Sequence, residues 1–389
     1  MPFFSSPQSY LGVDFDAKSV KVVELRSEGG RPRLVTYGYV DKDVEKSIAD
    51  NDRGQNLETA KLIKQVCQKA RTTTSKAITA LPAYSVFSSI LSLPGMTKKD
   101  LATAVKWEAK KVVPLPIEEM ILDWKVLEDF SVGPLIAGVK KGEEEQKPED
   151  GNGNEEVNTE EARPKGFLKI NPKAKKSYTK ILLTAAPKDL VKRYIEIFKA
   201  ADLNLLSLDT EAFALIRSLV GSDKSALMIV DIGSVVTSIS IVVNGIPILN
   251  RSIDVGGLTI TKSIANSLNV SLDRAEQFKY DIGMNPQRVG QGSVPKTIEM
   301  TLGPIVDELR YSLNLYKNQG QKDIEKVILT GGSSLLLNLP EYLANLLGLR
   351  VFLGDPWARV VYPEELKPVL DEIGARYSVA IGLAMRDIS

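Results

Sequence analysis

Two short segments of the chain, more than 200 residues apart, carry the residue types that bind phosphate together with a hard cation. Asp14 and Asp231 each follow an apolar stretch typical of a strand, and each precedes a tight turn and a short hydroxylic stretch. Backbone N–H groups in such a turn can surround phosphate oxygens, and a carboxylate at the strand end can hold Mg²⁺ through water. Either aspartate alone could simply cap its turn. As a pair, each followed by a returning strand, they predict duplicated lobes whose hairpins approach one phosphate chain.

Two further segments are rich in small residues. Thr330–Ser334 (TGGSS) directly follows a predicted strand, and its glycines permit positive φ and a close backbone approach to a ligand. An ordinary strand-to-helix turn explains these residues equally well. Ala380–Ala384 (AIGLA) is interpreted as part of a helix whose small residues permit close packing, rather than as a binding element.

The amino-acid composition excludes most other kinds of catalysis. The chain has no histidine, which rules out Ser-His-Asp and Cys-His nucleophile pairs and HExxH zinc sites. Cys67 is the only cysteine, which excludes an internal disulfide and a multi-cysteine metal site and fits a reducing compartment. Any catalysis must therefore rest on carboxylates, backbone dipoles and a hard cation, which points to phosphate chemistry.

Length and charge indicate a two-lobed protein with a cleft. The chain has 389 residues, whereas single cores stop growing at roughly 250 to 300 residues. Its 50 basic and 49 acidic residues are interleaved and form no basic face, which argues against a nucleic-acid partner. Met1–Tyr10 lacks the pattern of a secretory leader, and no run of about 18 apolar residues occurs. We therefore expect a cytoplasmic protein that does not span a membrane on its own.

Apolar periodicity and turn residues predict an α/β arrangement in both halves of the chain. Asn244-Gly245, between two apolar runs, is the strongest hairpin signal. The predicted strands lie within Leu11–Leu25 and at Ala77–Leu81, Val86–Leu93, Ile181–Ala186, Ala226–Asp231, Thr237–Val243, Ile246–Asn250 and Val327–Thr330. The predicted helices are Leu57–Ala70, Lys98–Lys111, Asp189–Ala201, Thr259–Leu268, Leu272–Asp281, Thr301–Asn318 and one that Pro340 opens.

Residues 140–166 form an acidic segment that differs from the rest of the chain. It contains nine carboxylates and no aromatic residue, so it cannot repay the entropy cost of ordering, and we predict a disordered loop. A run of lysines follows, from Lys165 to Lys180. A solvated surface is the plainer interpretation of this charge pattern, and a regulatory contact with a partner is the alternative.

In chain order, these motifs resemble the ATP-binding elements of the actin/DnaK superfamily. Asp14–Lys21 (DFDAKSVK) and Asp231–Thr237 (DIGSVVT) are similar to its two phosphate elements. Glu276, with Lys279 three residues on, and Gly331–Ser333 (GGS) are similar to its adenosine elements. The resemblance implies an actin-like two-lobed α/β ATPase fold, built from duplicated ribonuclease H-like domains.

Within that superfamily, almost the whole chain resembles the type IV pilus assembly protein PilM family. Leu81–Leu127 is similar to the characteristic inserted subdomain of the family, and Glu108-Ala109, Pro114-Leu115-Pro116 and Asp123-Trp124 match its recurring signature. Two further segments are also similar to the family, namely Leu182–Leu215 and Val327–Pro356.

The resemblance to PilM, a relative of the cell-division protein FtsA, implies a division of the chain into lobes. Residues 1–80 and 181–220 would form the first lobe, and residues 81–180 an inserted α/β subdomain that contains the acidic loop. Residues 221–355 would form the second lobe, and residues 356–389 a helix that returns to the first lobe.

The same resemblance implies an adaptor that binds ATP and Mg²⁺ in the cytoplasm, at the periphery of the inner membrane. It would dock the cytoplasmic amino-terminal tail of the membrane protein PilN and so couple the pilus motors to a periplasmic alignment complex. Motor ATPases and a PilC-like platform protein are further expected partners, and self-association is left open. We expect a slow ATPase at most.

The resemblance also assigns site residues. Asp14 and Asp231 would hold Mg²⁺ through water, and Lys21 would offer a point charge to the phosphates. Glu211 falls near the position of a water-positioning catalytic residue, although an exposed helix carboxylate explains it equally well. For Glu276 and Lys279, the alternative is an ordinary exposed pair on a helix. The expected nucleotide-binding set is Asp14, Ala17, Lys18, Ser19, Lys21, Gly233, Ser234, Thr237, Gly256, Gly257, Glu276, Lys279, Gly331, Gly332, Ser333 and Ser334.

Asp16 departs from the superfamily pattern, which usually has glycine at this position. A carboxylate so close to the phosphates would repel them unless Mg²⁺ or Lys21 offsets its charge. We therefore expect slow or negligible hydrolysis, with ATP acting as a structural or switching ligand.

Three other functions are open from the sequence. An FtsA-like membrane-tethered filament protein generally ends in an amphipathic tail, whereas Gly382–Ser389 is short and of mixed character. A type II secretion homologue normally continues into a transmembrane segment, and none follows in this sequence. A small-molecule kinase would need a carboxylate base that faces a polar substrate cleft, and we expect no phosphoryl transfer to sugars.

Overall fold

A computed structural model describes residues 8–42, 52–127, 178–284, 294–320 and 322–388 of the protein. The predicted acidic loop, residues 140–166, lies outside these ranges. In the described part of the chain, no helix is both long enough and apolar enough to cross a bilayer.

The described residues form strands and helices that are numbered here in chain order. The strands are β1 (Ser9–Phe15), β2 (Ser19–Glu28), β3 (Arg31–Asp41), β4 (Lys76–Leu81), β5 (Phe87–Pro94), β6 (Met120–Leu127), β7 (Tyr178–Pro187), β8 (Asn204–Thr210), β9 (Leu227–Ile232), β10 (Thr237–Val243), β11 (Ile246–Ile253), β12 (Lys326–Thr330) and β13 (Arg350–Leu353). The α-helices are α1 (Asp52–Ala70), α2 (Lys98–Val112), α3 (Lys188–Ala200), α4 (Glu211–Leu215), α5 (Gly257–Leu268), α6 (Leu272–Ile282), α7 (Val294–Lys317), α8 (Leu339–Leu347) and α9 (Lys367–Ala384).

The two large sheets share one strand topology, which confirms the predicted duplication. Their strand orders are β3-β2-β1-β4-β8 and β11-β10-β9-β12-β13. In the first sheet, an antiparallel meander of three strands is continued by two parallel strands, and the second sheet repeats this pattern. The strands β1 and β9 are therefore equivalent. Asp14 and Asp231 consequently hold equivalent positions, each one residue before the end of its strand.

A third, antiparallel sheet is inserted between β4 and β8, with the strand order β5-β7-β6. One of its faces packs against α2, where Leu93, Val105 and Leu183 belong to one buried cluster. On the other face, Ile90 and Leu182 pack against Val243 and neighbouring residues of the β10–β11 hairpin. The inserted sheet thus interrupts the first lobe and also contacts the second.

Helix α9 lies in the central core and is held very close to its neighbours. Its residues Leu370 and Ile381 share one buried cluster with residues from both large sheets. A Cβ atom added to Gly12 of β1 would overlap the Ala380 carbonyl oxygen, and one added to Gly382 would overlap the Ala214 carbonyl oxygen. The small residues of Ala380–Ala384 thus serve close packing, as the sequence predicted.

Two local predictions have different outcomes. Asn244 and Gly245 have φ values of 53° and 73°, which are typical of a tight type I′ hairpin turn, so the predicted hairpin is confirmed. Helix α7, by contrast, begins at Val294 and not at Thr301. Its added first turns bury Val294 and Ile298 in the core of the second lobe, and this tertiary packing accounts for the earlier start.

We expect Gly12→Ala to lower the free energy of unfolding by about 1 to 3 kcal/mol, because the added methyl group must displace the backbone of α9. The urea midpoint of unfolding measures this change. Gly303→Ala, in the interior of α7, is the control: a Cβ there meets nothing within 4 Å, so this change should raise the free energy of unfolding and not lower it. An unfolding midpoint of Gly12→Ala equal to that of the unchanged protein would contradict the close packing of α9.

Candidate functional site

A cleft of about 530 Å³ lies between the two lobes and brings together residues from distant parts of the chain. It is lined by the β1–β2 turn of the first lobe, by the β9–β10 turn of the second, and by α6, the turn after β12 and α9. We call the β1–β2 turn, residues 16–18, the first loop, and the β9–β10 turn, residues 233–236, the second loop. Of the expected residues, those that line the cleft are Asp14, Ala17, Lys18, Ser19, Lys21, Glu211, Asp231, Gly233, Ser234, Gly257, Glu276, Lys279, Gly331, Gly332 and Ser333.

Carboxylates surround a single lysine beside the first loop. Lys21 lies directly across from Asp14 in the β1–β2 pair, and its Nζ lies 3.0 Å from Asp14 Oδ2 and 3.4 Å from Asp16 Oδ2. Burial of the ammonium opposes its charge, but Asp14 and Asp16 outweigh this effect and raise the pKa of Lys21. Lys21 is therefore held charged at the floor of the cleft, as a phosphate-binding cation must be.

The second loop is fixed by backbone hydrogen bonds to the start of α5. Gly257 donates its N–H to the Gly233 carbonyl at 2.9 Å, and Leu258 donates to the Ser234 carbonyl at 2.8 Å. Gly256 is needed at this contact, because a Cβ there would lie 2.7 Å from the Ser234 carbonyl oxygen. These contacts tie the loop to α5, and Ser234 of the loop lines the cleft.

Glycines of the turn after β12 allow the backbone to approach Asp231 closely. Gly331 has a φ of 83°, and a Cβ at this position would overlap Asp231 Oδ1. The N–H of Gly331 donates to the Ala375 carbonyl of α9 at 3.0 Å, which ties the turn to the helix between the lobes. The glycine-rich element thus forms a wall of the cleft.

Lys279 on α6 is buried and its partner Glu276 is half-buried, so the alternative of an ordinary exposed pair is wrong. Lys279 is 1% exposed, and its Nζ donates to Glu276 Oε2 at 2.8 Å and to Thr261 Oγ1 at 3.0 Å. Glu276 also lies 3.7 Å from Lys18 Nζ of the first loop. This last ion pair joins the two lobes across the cleft.

Glu211 also faces the cleft. The alternative interpretation, that Glu211 is an exposed carboxylate on a helix, is therefore wrong. Its Oε2 accepts a hydrogen bond from the Ala83 N–H at 3.0 Å. Burial, together with the nearby Asp231 and Asp14, raises the pKa of Glu211 to about 8. Burial and Asp14 likewise raise the pKa of Asp231 to about 7, with Lys21 opposing the shift. These carboxylates repel one another, which is the electrostatic setting that a divalent cation stabilises.

Three of the expected residues stand behind the cleft wall. Thr237 is fully buried and donates its hydroxyl to the Val255 carbonyl at 2.6 Å, and the Ser334 hydroxyl donates to the Gly331 carbonyl at 2.7 Å. Gly256 supports the second loop in the contact described above. In the structure these residues fix the shape of the wall and do not line it.

Several residues that line the cleft belong to no motif that could be recognised in the sequence. Lys42 Nζ donates to the Asp16 carbonyl at 2.8 Å, and the Arg193 Nε donates to Asn56 Oδ1 at 2.8 Å. Arg376 of α9 also lines the cleft. Lys42 directly follows β3, 26 residues from Asp16, whereas Arg193 and Arg376 lie much farther along the chain from the first loop. Only the fold brings them together. The further lining residues that the sequence did not indicate include Tyr84, Tyr194 and Tyr280.

The fold is similar to the folds of two solved structures. Over 98% of this chain and 98% of the other, it matches the PilM-PilN type IV pilus biogenesis complex, with a TM-score of 0.73 and 24% sequence identity. It also matches the ethanolamine utilization protein EutJ from Carboxydothermus hydrogenoformans, with a TM-score of 0.50 and 14% identity, over 98% of this chain and 90% of that one. These likenesses confirm the predicted actin-like, two-lobed α/β fold with an inserted subdomain.

The family comparison covers most of the chain and agrees with the resemblance found in the sequence. A family model described as Type IV pilus assembly protein PilM matches residues 12–134 and 166–388. Both lobes and the inserted strands β5, β6 and β7 lie within these ranges. The chain therefore belongs to the type IV pilus assembly protein PilM family.

Proposed function

We propose that the protein is a nucleotide-binding adaptor of type IV pilus assembly that docks the cytoplasmic tail of a PilN-like membrane protein. The observation that carries the nucleotide part is the meeting of two equivalent loops, one from each lobe, on a single cleft. The cleft volume, about 530 Å³, lies within the range of roughly 300 to 1,000 Å³ that is usual for small-molecule sites.

The donors around the cleft support a nucleoside phosphate as the ligand. Lys21 offers a charged ammonium from the first lobe, and the second loop offers the Ser234 hydroxyl, which is buried and has no hydrogen-bond partner among the described residues. Glu276 presents a carboxylate to the cleft, where ribose hydroxyls would find an acceptor. The buried Lys279 ammonium donates to Glu276 and Thr261 and so holds this carboxylate in place. The phosphate chain would then lie between the lobes.

The carboxylates fit a Mg²⁺ ion that is bound together with the phosphates. Asp14 and Asp231 come from equivalent strands, and their mutual repulsion contributes to the raised pKa of Asp231. Within the described ranges, no three carboxylate, imidazole or thiol side chains converge as a metal-binding group. We therefore propose that Asp14 and Asp231 face the ion through water, while phosphate oxygens supply direct ligands. When bound, the ion would neutralise part of the charge in the cleft.

The adaptor part of the proposal is supported by the solved PilM-PilN complex and by the position of the inserted sheet. That sheet contacts the β10–β11 hairpin, whose first strand begins at Thr237, directly after the second loop. A shift of the second loop on nucleotide binding would therefore move a hairpin that packs against Ile90 and Leu182 of the inserted sheet. Coupling to the pilus motors, to a platform protein and to the membrane periphery would follow from the docked tail.

We expect Gly332→Val to weaken binding of ATP and Mg²⁺ by at least about tenfold, because the new side chain would enter the cleft. A Cβ at Gly332 comes no closer than 3.6 Å to its neighbour Arg376, so the fold should tolerate the change. Isothermal titration measures the dissociation constants, with Gly303→Val as the control outside the cleft. Equal affinity in all three proteins would place the nucleotide elsewhere.

We expect ATP turnover far below about 1 s⁻¹, the lower end for kinases. Asp16 places a negative charge beside Lys21, where it repels the phosphates. Burial, together with Asp231 and Asp14, raises the pKa of Glu211 to about 8, so only a minor fraction of this carboxyl group is ionised and able to accept a proton at neutral pH. Release of radiolabelled phosphate measures the rate, and transfer to sugars is tested in parallel. Turnover comparable to that of sugar kinases would overturn this part of the proposal.

We expect a synthetic peptide that copies the amino-terminal tail of the cognate PilN-like protein to bind the full chain. Pull-down with and without ATP and Mg²⁺ measures binding, with a peptide of scrambled sequence as the control. Because the second loop and the inserted sheet are linked through one hairpin, the nucleotide should change the amount of peptide retained. Absence of binding in every nucleotide state would remove the basis of the adaptor proposal.

A further inference from the structure

The side chain of Asp16 folds back onto its own loop. Its Oδ1 accepts hydrogen bonds from the Lys18 N–H at 2.6 Å and from the Ser19 N–H at 2.8 Å. The Ser19 hydroxyl lies 3.3 Å from Oδ2, and Lys21 Nζ lies 3.4 Å from the same oxygen. One carboxylate thus occupies four donors of the first loop and its neighbouring strand.

The surroundings of this carboxylate stabilise its negative charge, because both N–H groups and the Lys21 ammonium point at its oxygens. An aspartate that accepts two short backbone hydrogen bonds and faces an ammonium group is a stable anion. Asp16 therefore does more than repel an incoming phosphate, because it already holds the groups that phosphate would use.

The two loops differ in this respect, although their strands are equivalent. At the second loop, the position one residue past the end of the strand is Gly233, whose N–H donates to the Val236 carbonyl at 3.0 Å. The adjoining Ser234 hydroxyl has no hydrogen-bond partner among the described residues. At the first loop the corresponding position is Asp16, one residue past the end of β1. The second loop thus contains no anionic side chain, whereas the first loop contains one.

We propose that Asp16 is an internal competitor for nucleotide phosphate and sets the affinity of the cleft. This inference rests on the proposed nucleotide-binding function. Phosphate oxygens and the Asp16 carboxylate seek the same N–H groups of Lys18 and Ser19 and the same Lys21 ammonium, and both cannot bind these donors at once. The phosphate chain contacts both loops only after the Asp16 side chain has rotated away.

Titration calorimetry with ADP and Mg²⁺, and with ATP and Mg²⁺, tests this competition in three variants of the full chain. Asp16→Ala frees the donors, and we expect it to bind nucleotide at least about tenfold more tightly than the unchanged protein. Asp16→Asn removes the charge but keeps an oxygen that can accept from both N–H groups, so we expect a smaller gain. Asp202→Asn, at an exposed ion pair with Lys64, should leave the affinity unchanged.

The results separate this inference from the function on which it rests. An equal gain for Asp16→Asn and Asp16→Ala would show that charge repulsion alone limits affinity and would overturn the competition. Affinity of Asp16→Ala equal to or below that of the unchanged protein would also overturn it, while leaving the nucleotide site intact. If neither the unchanged protein nor Asp16→Ala binds nucleotide, the proposed function fails as well. Thermal unfolding checks that each variant folds, and Asp16→Gly replaces Asp16→Ala if that variant does not.

Discussion

The ammonium group of Lys21 lies among the aspartates on which the central cleft is built. Asp14 and Asp16 contact it directly, and its charge also acts on Asp231. Without such a cation, equivalent aspartates from two lobes could not face one cleft at a tolerable electrostatic cost. The same ammonium would attract phosphate, so the group that permits the folded arrangement also defines the class of ligand. Asp16 already forms an ion pair with this ammonium group.

The packing of the lobes serves the same cleft. Because Gly12 and Gly382 lack side chains, α9 lies against β1 and α4, and its Ala375 carbonyl accepts the Gly331 N–H of the glycine-rich turn. The lobes are also joined at the mouth of the cleft, through Lys18 and Glu276. The inserted sheet adds a third connection, through the β10–β11 hairpin. A ligand that alters one loop therefore acts on a tightly connected body rather than on an isolated turn.

The sequence predicted the features that depend on local chemistry. Asp14 and Asp231 were recognisable because each follows an apolar strand, and Asn244-Gly245 because only a few residue pairs adopt its turn. Features that depend on tertiary contact were not recognisable. Glu211 accepts a hydrogen bond from Ala83, 128 residues earlier, and no periodicity within a five-residue helix reveals this contact. Cleft residues such as Arg376 lie on elements whose local pattern indicates only packing, and the hydrogen bonds of Asp16 depend on the geometry of the turn.

Equivalent loops of the two lobes are proposed to bind one phosphate chain. A crystal structure of the protein with Mg²⁺ and a non-hydrolysable ATP analogue tests this proposal. We expect phosphate oxygens within hydrogen-bond distance of Lys18 or Ser19 in the first lobe and of Ser234 in the second, with the ion facing Asp14 and Asp231. A nucleotide whose phosphates contact one lobe only, or that binds outside the cleft, would contradict it.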